Sequence, residues 1–309
     1  MKIIKTLHNL TPDDKGCVIA IGNFDGMHRG HQALIARTRA IAQQKNLPCG
    51  VLTFEPHPRH LFRPDDPPFR ITPPALKEQK IRQSGVDILF SLTFDWDFAS
   101  QSAADFVRHV LEDGLAPAHI VVGADFCFGQ LRKGTPQTLE QAGFDVTIAD
   151  NIANDHQTRI SSSAIRQALR HGDLAGAGDL LGWPWEIQGC VVQGDRRGRE
   201  LGYPTANIAL HDTLHPAYGV YAAYVQIADD GTDAPWMRAA VNIGIRPMFA
   251  LKTGQLEAHI LDFDRDIYGK ILRVRPVQKL RGEAKFDSLD ALIGQIAADC
   301  AQVRKILKK

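Results

Sequence analysis

The sequence predicts two domains: an α/β domain built on a parallel sheet, then an antiparallel β-barrel domain with a C-terminal helix. In the first half, apolar runs alternate with helical segments, which is typical of βαβ units. In the second half, several strand-like runs follow one another with no helix between them. The chain has 309 residues, enough for two cores. A Gly-Trp-Pro-Trp break at 182–185 predicts domains at 1–183 and 184–309.

The composition argues against several classes of protein. The net charge is only +1, so no strong field draws the chain to nucleic acid or to a membrane surface. Five scattered cysteines without a C-x-x-C pair argue against a zinc site or a disulfide framework and fit a reducing compartment. We find neither a signal peptide nor an apolar run long enough for a bilayer. We therefore expect a cytoplasmic protein. We also expect it to be a monomer or weak homo-oligomer with small molecules as its partners.

The first half contains the elements of a parallel sheet. Predicted strands lie at 17–21, 49–54, 86–94 and 119–123, and predicted helices at 31–45, 75–84 and 101–113. Because ligands of parallel sheets bind at the carboxyl ends of the strands, the segments that follow three of these strands should converge on one edge. These segments are 22–31, 54–58 and 123–126.

The most informative stretch is 22–31, which reads G-N-F-D-G-M-H-R-G-H at a predicted strand-to-helix turn. Backbone N–H groups and the positive end of a helix dipole can meet an anion there. The glycines let phosphate approach closely, and His28 and His31 can each place a proton or positive charge on it. The stretch matches neither G-x-G-x-x-G nor the metalloprotease H-E-x-x-H, and no Walker loop is present in the chain. A structural turn is the alternative, but the spacing favours phosphate chemistry.

Two more segments of the first half have interpretable patterns. Residues 160–169 place serines at the start of a helix that ends near Gly172, with Arg166 in its first turns. Residues 63–74 contain five prolines, which argue against regular structure. We interpret this second segment as a long surface loop and a candidate lid.

The second half predicts six strands and a closing helix. The strand-like runs lie at 187–193, 205–210, 219–228, 237–243, 255–263 and 271–280. An apolar stripe from Leu289 to Leu307 then predicts a helix that Asp287 or Ser288 can cap.

Two motifs and the second half together identify a family. Residues 22–31 resemble the H-x-G-H signature of the nucleotidylyltransferase superfamily, and 160–166 resemble its I-S-S-T-x-I-R segment. Over nearly its whole length the chain resembles the bacterial bifunctional riboflavin kinase/FAD synthetases. The resemblance implies a Rossmann-like nucleotidylyltransferase domain followed by a riboflavin kinase barrel. It also implies two reactions: ATP phosphorylates riboflavin to FMN, and a second ATP adenylylates FMN to FAD with release of pyrophosphate.

In the first domain the resemblance implies roles for three groups of residues. His28 and His31 would stabilise charge on the phosphates, and Arg166 would bind the departing pyrophosphate. The implied ATP-binding residues are Gly22, Phe24, Asp25, Gly30, Ser161, Ser162 and Ser163. The implied flavin-binding residues are Phe54, His57, Asp125, Phe126 and Phe128. From the residues alone, His57 fits a turn. Asp125 could cap a helix, although its place at a strand end favours a ligand role, and Phe126 and Phe128 fit a core and a flavin contact equally.

In the second domain, 194–207 resembles the riboflavin kinase nucleotide loop that ends in P-T-A-N. The resemblance implies that Glu257 is the catalytic base, although strand alternation alone makes it an ordinary outward-facing polar residue. The other implied residues are Gly194, Arg197 and Gly198 for ATP, Thr205 and Asn207 for Mg²⁺ through hard oxygen atoms, and Arg281 and Glu283 for the flavin. From the residues alone, Arg281 and Glu283 equally fit a surface ion pair.

Some positions depart from the family pattern and leave two alternatives open. Ser163, Ile245 and Met248 stand where threonine is usual, and Gly282 replaces a proline. The changes at 245, 248 and 282 raise the prospect of a weakened kinase. One alternative is a single-activity adenylyltransferase with a degenerate second half. The other is a flavin or nucleotide sensor without enzymatic activity.

Overall fold

A computed structural model describes residues 1–150, 159–194, 198, 201–231, 233–248 and 251–308, without the side chains of 246–248 and 251–253. The chain divides into two compact units. The first comprises Met1–Asp66 and Pro74–Ser161, and the second comprises Pro67–Pro73 and Ser162–Lys309. The boundary expected at 183/184 lies inside the second unit and stays a prediction.

The first unit is built on a parallel sheet of six strands, in the order β1-β4-β3-β2-β5-β6. The four predicted strands are confirmed. The two edge strands escape sequence analysis because they have only three and four residues. The strands are β1 (Lys2–Ile4), β2 (Val18–Ile21), β3 (Cys49–Glu55), β4 (Ile88–Thr93), β5 (His119–Gly123) and β6 (Val146–Ala149).

Helices cover both faces of this sheet. Alternate residues of β2 enter opposite cores, with Ile19 and Ile21 on one face and Val18 and Ala20 on the other, as expected for a parallel sheet buried on both sides. The helices are α1 (Arg29–Lys45), α2 (Pro58–Phe62), α3 (Pro74–Gln83), α4 (Trp96–Ala99), α5 (Ala103–Asp105), a π-helix (Phe106–Leu115), α6 (Pro136–Gln141) and short 3₁₀ turns at Pro12–Asp14 and Gln130–Arg132.

The strand order places a ligand crevice beside β2. From β2 the chain moves through β3 and β4 on one side, and β5 and β6 lie on the other side. The order therefore reverses between β2 and β5, and open α/β sheets bind ligands outside the strand ends at such a point. The three segments expected to converge follow β3, β2 and β5, which are neighbours in the sheet. Their predicted convergence is confirmed.

The proline-rich segment is only partly the surface loop expected from its composition. Four consecutive residues are 4% exposed or less: Phe69, Arg70, Ile71 and Thr72. The Arg70 amide donates to Asp212 O, the Arg70 carbonyl accepts from the Leu214 amide, and its guanidinium lies 2.8 Å from the Asp212 carboxylate. Trp185 Nε1 donates to Ile71 O at 2.9 Å. The surface-loop prediction is wrong for 69–72, because a segment without helix can be buried once its polar backbone groups find partners. The lid stays a prediction.

The second unit contains the predicted closed antiparallel barrel, in the order β10-β11-β8-β7-β12-β9. All six predicted strands and both predicted helices are confirmed. Gly172, at φ +79°, ends α7, and the Ser288 hydroxyl, which accepts from the Ala291 amide, caps the last helix. The elements are α7 (Ser162–His171), α8 (Leu174–Leu181), β7 (Ile187–Val192), β8 (Ala206–Ala209), β9 (Gly219–Ile227), a 3₁₀ turn (Ala228–Asp230), β10 (Met237–Met248), β11 (Leu251–Ile260), β12 (Ile271–Arg281) and α9 (Leu289–Ile306).

The last helix, α9, packs on the outside of the barrel. Its apolar stripe, which includes Cys300 and Val303, lies against Ala222 of β9 and Ala240 of β10. Two small residues on the strands let the helix approach closely. Among the described residues, no helix is both long enough and apolar enough to cross a bilayer.

Candidate active sites

The turn between β2 and α1 is anchored by buried side chains. Phe24 and Met27 have positive φ angles of +52° and +40°. Residues other than glycine seldom adopt this region of backbone conformation. Both side chains are buried, at 0% and 1% exposure, and this burial offsets the backbone strain. The Phe24 ring is enclosed, and ATP binding by Phe24 stays a prediction.

His28 and His31 form a stacked pair at the start of α1. The ring centroids are 3.6 Å apart and the planes differ by 18°. His28 is the N-cap, and its Nδ1 accepts from the His31 amide at 3.2 Å. In neutral His28 the proton therefore lies on Nε2. The Phe24 ring lies 5.2 Å from the His31 ring. The pair is thus held at the positive end of a helix of 17 residues.

The remaining expected ATP residues of this turn lie close to the pair in sequence. Gly22 follows β2 directly, and its amide donates to Leu52 O at 3.1 Å. The Asp25 side chain is buried, and Gly30 lies in the first turn of α1. The turn therefore combines glycines, a carboxylate and two imidazoles at the carboxyl end of the central strand.

The expected flavin residues of the first unit fall into two groups. Phe54 and His57, at the end of β3, are 8% and 9% exposed. His57 caps α2, because its Nδ1 accepts from the Arg59 amide at 3.1 Å. After β5, exposed Asp125 pairs with Arg159. The partly buried Phe126 ring stacks 5.6 Å from Phe128, which packs into the core.

Sequence analysis missed an exposed aromatic surface beyond β3 and β4. Phe62 on α2 is 55% exposed and Trp96 on α4 is 63% exposed. Their rings meet edge to face at 5.8 Å, and Phe94 connects Phe62 to Phe54. Exposed aromatic rings of this size mark a ligand or partner surface. The signal in the sequence was Phe62 itself, an aromatic residue between two segments already singled out, 54–58 and 63–74.

The serine and arginine residues of the second motif lie at the division between the units. Ser161 is the last residue of the first unit, and α7 of the second unit carries Ser162, Ser163 and Arg166. Arg166 Nε donates to Phe69 O at 2.9 Å, and its guanidinium carbon lies 5.5 Å from the Phe69 ring.

In the barrel, three polar residues form a row across adjacent strands. Glu257 of β11 lies opposite Asn207 of β8 on one side and opposite Asn242 of β10 on the other. Directly opposed residues of antiparallel strands point to the same face. Leu256 and Ala258, the neighbours of Glu257, are fully buried, so the row faces away from the barrel interior. The outward-facing position expected for Glu257 is correct, but that face is covered.

A cavity of about 380 Å³ lies against Glu257 and Asn242 of this row. It brings together five residues expected from the sequence: Gly198, Thr205, Glu257, Arg281 and Glu283. The other lining residues include Asn242, Tyr203 and, from α9, Leu292, Ile296 and Asp299. The C-terminal helix therefore supplies one wall of the cavity, a contribution that its apolar stripe did not indicate.

Asn207 offers a neutral amide oxygen atom beside the cavity. Asn207 is 6% exposed, and its Oδ1 accepts from Gln255 Nε2 at 2.8 Å, which leaves one lone pair. A Cβ on Gly194 would stand 2.6 Å from the Asn207 amide nitrogen, so a larger residue there would displace the Asn207 side chain. Arg197 lies outside the described residues.

Arg281 is held by α9 and does not pair with Glu283. Arg281 Nη2 lies 2.8 Å from Asp299 Oδ2, and Nε bonds both carboxylate oxygens at 3.1 Å. Asp299 is 3% exposed and also accepts from Gln295 Nε2 at 2.9 Å. The surface-pair alternative is therefore wrong. Asp299, four residues after Gln295 on the buried side of α9, is a site residue that sequence analysis missed.

Glu283 lies against the backbone of β10 at Gly244, where a Cβ would collide with its carboxylate. Burial and the charge of Glu283 raise the pKa of the nearby Tyr218 hydroxyl. That hydroxyl lies 2.8 Å from His215 Nδ1, and burial lowers the pKa of His215. Both groups are therefore neutral around pH 7.

The departures from the family pattern lie in different surroundings. Ile245 is 38% exposed, and open space surrounds the position that a Cβ of Gly282 would occupy. The side chain of Met248 lies outside the described part of the chain. Weakening of the kinase by these changes stays a prediction.

Comparison with known proteins gives consistent matches for both units. The family model described as FAD synthetase matches residues 10–164, and that described as riboflavin kinase matches 181–307. Two relatives are both bifunctional riboflavin kinase/FMN adenylyltransferases. The Escherichia coli protein is 41% identical, and the alignment covers 97% of this chain and 96% of the relative. The Pseudomonas fluorescens protein is 43% identical, and the alignment covers 99% of this chain and 98% of the relative. A crystal structure of a macrolide-efflux protein from Streptococcus pneumoniae is 35% identical, with a TM-score of 0.84 and 99% of each chain covered.

Proposed function

Because the chain belongs to the bifunctional riboflavin kinase/FMN adenylyltransferase family, we propose that its two reactions take place at the barrel cavity and at the turn between β2 and α1. The chain is a riboflavin kinase and an FMN adenylyltransferase, with ATP as co-substrate and FMN and FAD as products. The observation that carries the assignment is the pair of Glu257 and Asn242 in a cavity that Arg281 and Glu283 also line, with Asn207 opposite Glu257 on the next strand.

At the cavity, Glu257 is the proposed general base. The ribityl hydroxyl of riboflavin attacks the terminal phosphorus of ATP, the bond to the ADP oxygen breaks, and the hydroxyl proton passes to the Glu257 carboxylate. Arg281 and Glu283 orient the flavin. Most of the rate comes from positioning and electrostatic stabilisation, because phosphoryl transfer needs little covalent chemistry from the protein.

Thr205 and Asn207 are the proposed protein ligands of Mg²⁺. One hydroxyl and one amide oxygen suit a magnesium ion that is bound mainly by phosphates and water. Asn207 Oδ1 keeps a lone pair beside its bond from Gln255, so the residues fit such an ion. When bound, Mg²⁺ neutralises the charge of the ATP phosphates.

At the turn between β2 and α1, FMN is the nucleophile. Its phosphate oxygen attacks the α-phosphorus of ATP, the bond to the β-phosphate bridge breaks, and pyrophosphate leaves. The attacking phosphate is already ionised, so no general base is needed. His28 and His31, stacked at the helix N-terminus, stabilise the charge on the phosphates. Binding of pyrophosphate by Arg166 stays a prediction from the family resemblance.

The exposed aromatic rings support a flavin site in the first unit. Phe62 and Trp96 follow β3 and β4 at the carboxyl edge of the sheet, on the same side as the expected flavin residues Phe54 and His57. A flat isoalloxazine ring gains contact area on such a surface.

We also propose that the protein works in the cytoplasm and acts without nucleic acid, as a monomer or weak homo-oligomer. We place its functional domain boundary at 183/184.

The direct test is a product assay. The protein is incubated with Mg²⁺, ATP and either riboflavin or FMN, and the products are separated. We expect FMN and then FAD from riboflavin, and FAD from supplied FMN. Formation of FAD from FMN without any consumption of riboflavin would mean a single-activity adenylyltransferase. That alternative is not favoured, because the riboflavin kinase family model matches the barrel.

A further inference from the structure

A buried lysine lies behind the turn between β2 and α1. Lys77 of α3 is 3% exposed, and its Nζ lies 2.6 Å from Oε1 of Glu55, whose side chain is 20% exposed. The same ammonium donates to Thr53 Oγ1 at 3.3 Å. A buried ammonium is strongly unfavourable unless it is paired with a charge and hydrogen-bonded, and Lys77 meets both conditions.

The contacts of Lys77 join the two segments that flank the proposed adenylyltransferase site. Its Nζ lies 3.5 Å from Asn23 O and 3.4 Å from Phe54 O. Asn23 directly precedes Phe24 in the turn that leads to His28, and its carbonyl also accepts from Thr53 Oγ1 at 3.1 Å. Phe54 and Glu55 end β3 and lead to His57 and α2. One ammonium therefore holds the beginnings of both segments.

We propose that Lys77 is a positioning residue for FMN adenylylation. Through Asn23 O and Glu55 it fixes the turn that carries His28 against the end of β3. The side chain is too buried to contact substrate, so it acts through the main chain of these two segments. The inference rests on the proposed function, because its consequence is the placement of the stacked histidines. Misplacement of reacting groups by about 1 Å costs about a hundredfold in rate.

The test compares Lys77→Met with a matched control, Lys45→Met. Lys45 also pairs with a carboxylate, but it and its partner Asp145 are exposed, at 39% and 68%. We expect Lys77→Met to lower the kcat of FMN adenylylation about a hundredfold, while the KM values for FMN and ATP change much less. Riboflavin phosphorylation, in the other unit, should keep its wild-type rate, and Lys45→Met should leave both activities unchanged.

A second variant separates positioning from loss of stability. Lys77→Met leaves Glu55 without its cation, and adding Glu55→Gln removes that uncompensated charge. We expect the double variant to regain thermal stability but to keep a low adenylylation kcat. Recovery of kcat together with stability would overturn the inference, as would wild-type kcat in Lys77→Met. Failure of the wild-type protein to form FAD would instead overturn the proposed function.

Discussion

Glu257 and Asn207 lie directly opposite each other on neighbouring antiparallel strands. The register places a carboxylate beside an amide whose oxygen already accepts from Gln255. Across the next strand, Asn242 occupies the same row. The barrel thus presents a single acidic group between two neutral ones. A carboxylate placed in this way can accept a proton from a hydroxyl group in the cavity.

Glu257→Gln should remove riboflavin phosphorylation and spare adenylylation. The amide keeps the size and the strand pairing but cannot accept the hydroxyl proton, so the rate of FMN formation should fall by about a hundredfold or more. FAD formation from supplied FMN should continue at the wild-type rate. Both rates are read by separating flavins after incubation with ATP. Unimpaired FMN formation would show that Glu257 is not the base.

Substitutions of His28 should separate its two roles. His28→Asn keeps an N-cap acceptor and should preserve thermal stability, whereas His28→Ala should cost about 1 kcal/mol of unfolding free energy. Both variants lose the imidazole, so both should lower FAD formation by about a hundredfold. Denaturant unfolding and FAD assays measure the two effects. Full adenylylation by His28→Asn would reduce His28 to a helix cap.

Asp299→Asn should weaken riboflavin use through Arg281. The change removes the charge that holds the guanidinium at the cavity wall, and loss of a charged hydrogen bond should raise the KM for riboflavin about tenfold. FAD formation from supplied FMN serves as the internal control. Asp290→Asn, at an exposed position on the same helix, should change neither activity. An unchanged KM in Asp299→Asn would exclude this role.

The cysteines should differ sharply in reactivity. Burial in the cores of the first unit raises the pKa values of Cys17 and Cys49 to about 12, so almost no thiolate exists near neutral pH. Cys190 is exposed. Brief treatment of the native protein with iodoacetamide at pH 8, followed by peptide mass spectrometry, should find label on Cys190 and none on the buried pair. Equal labelling would contradict the packing of β2 against β3.

Local pattern was sufficient for most of the architecture. Hydrophobic alternation, helix caps and turn residues locate most of the strands of both units, and the motif at 22–31 identifies the edge where ligands bind. The short edge strands β1 and β6 carry too few residues to show a period. The proline-rich segment was misjudged because prolines exclude a helix but do not decide burial, which depends on partners such as Trp185 and Asp212.

The missed residues Lys77 and Asp299 both depend on distant contacts. Lys77 lies four residues before Ile81 and shares its buried helix face, but nothing in the sequence shows that Glu55 and Asn23 meet it there. Asp299 likewise sits on the apolar side of α9, and only the barrel reveals Arg281 beside it. A charged residue on a buried helix face was the available signal in both cases, and its partner was not predictable from spacing.

The central claim is that one chain carries two separate sites. It is tested most directly by mixing two variants that each lack one of the two activities. His31→Ala should make FMN from riboflavin but little FAD, with adenylylation reduced about a hundredfold, and Glu257→Gln should make FAD only from supplied FMN. The two proteins mixed with riboflavin and ATP should restore FAD, because FMN released by one is adenylylated by the other. Loss of both activities in either single variant, or no FAD in the mixture, would contradict the account.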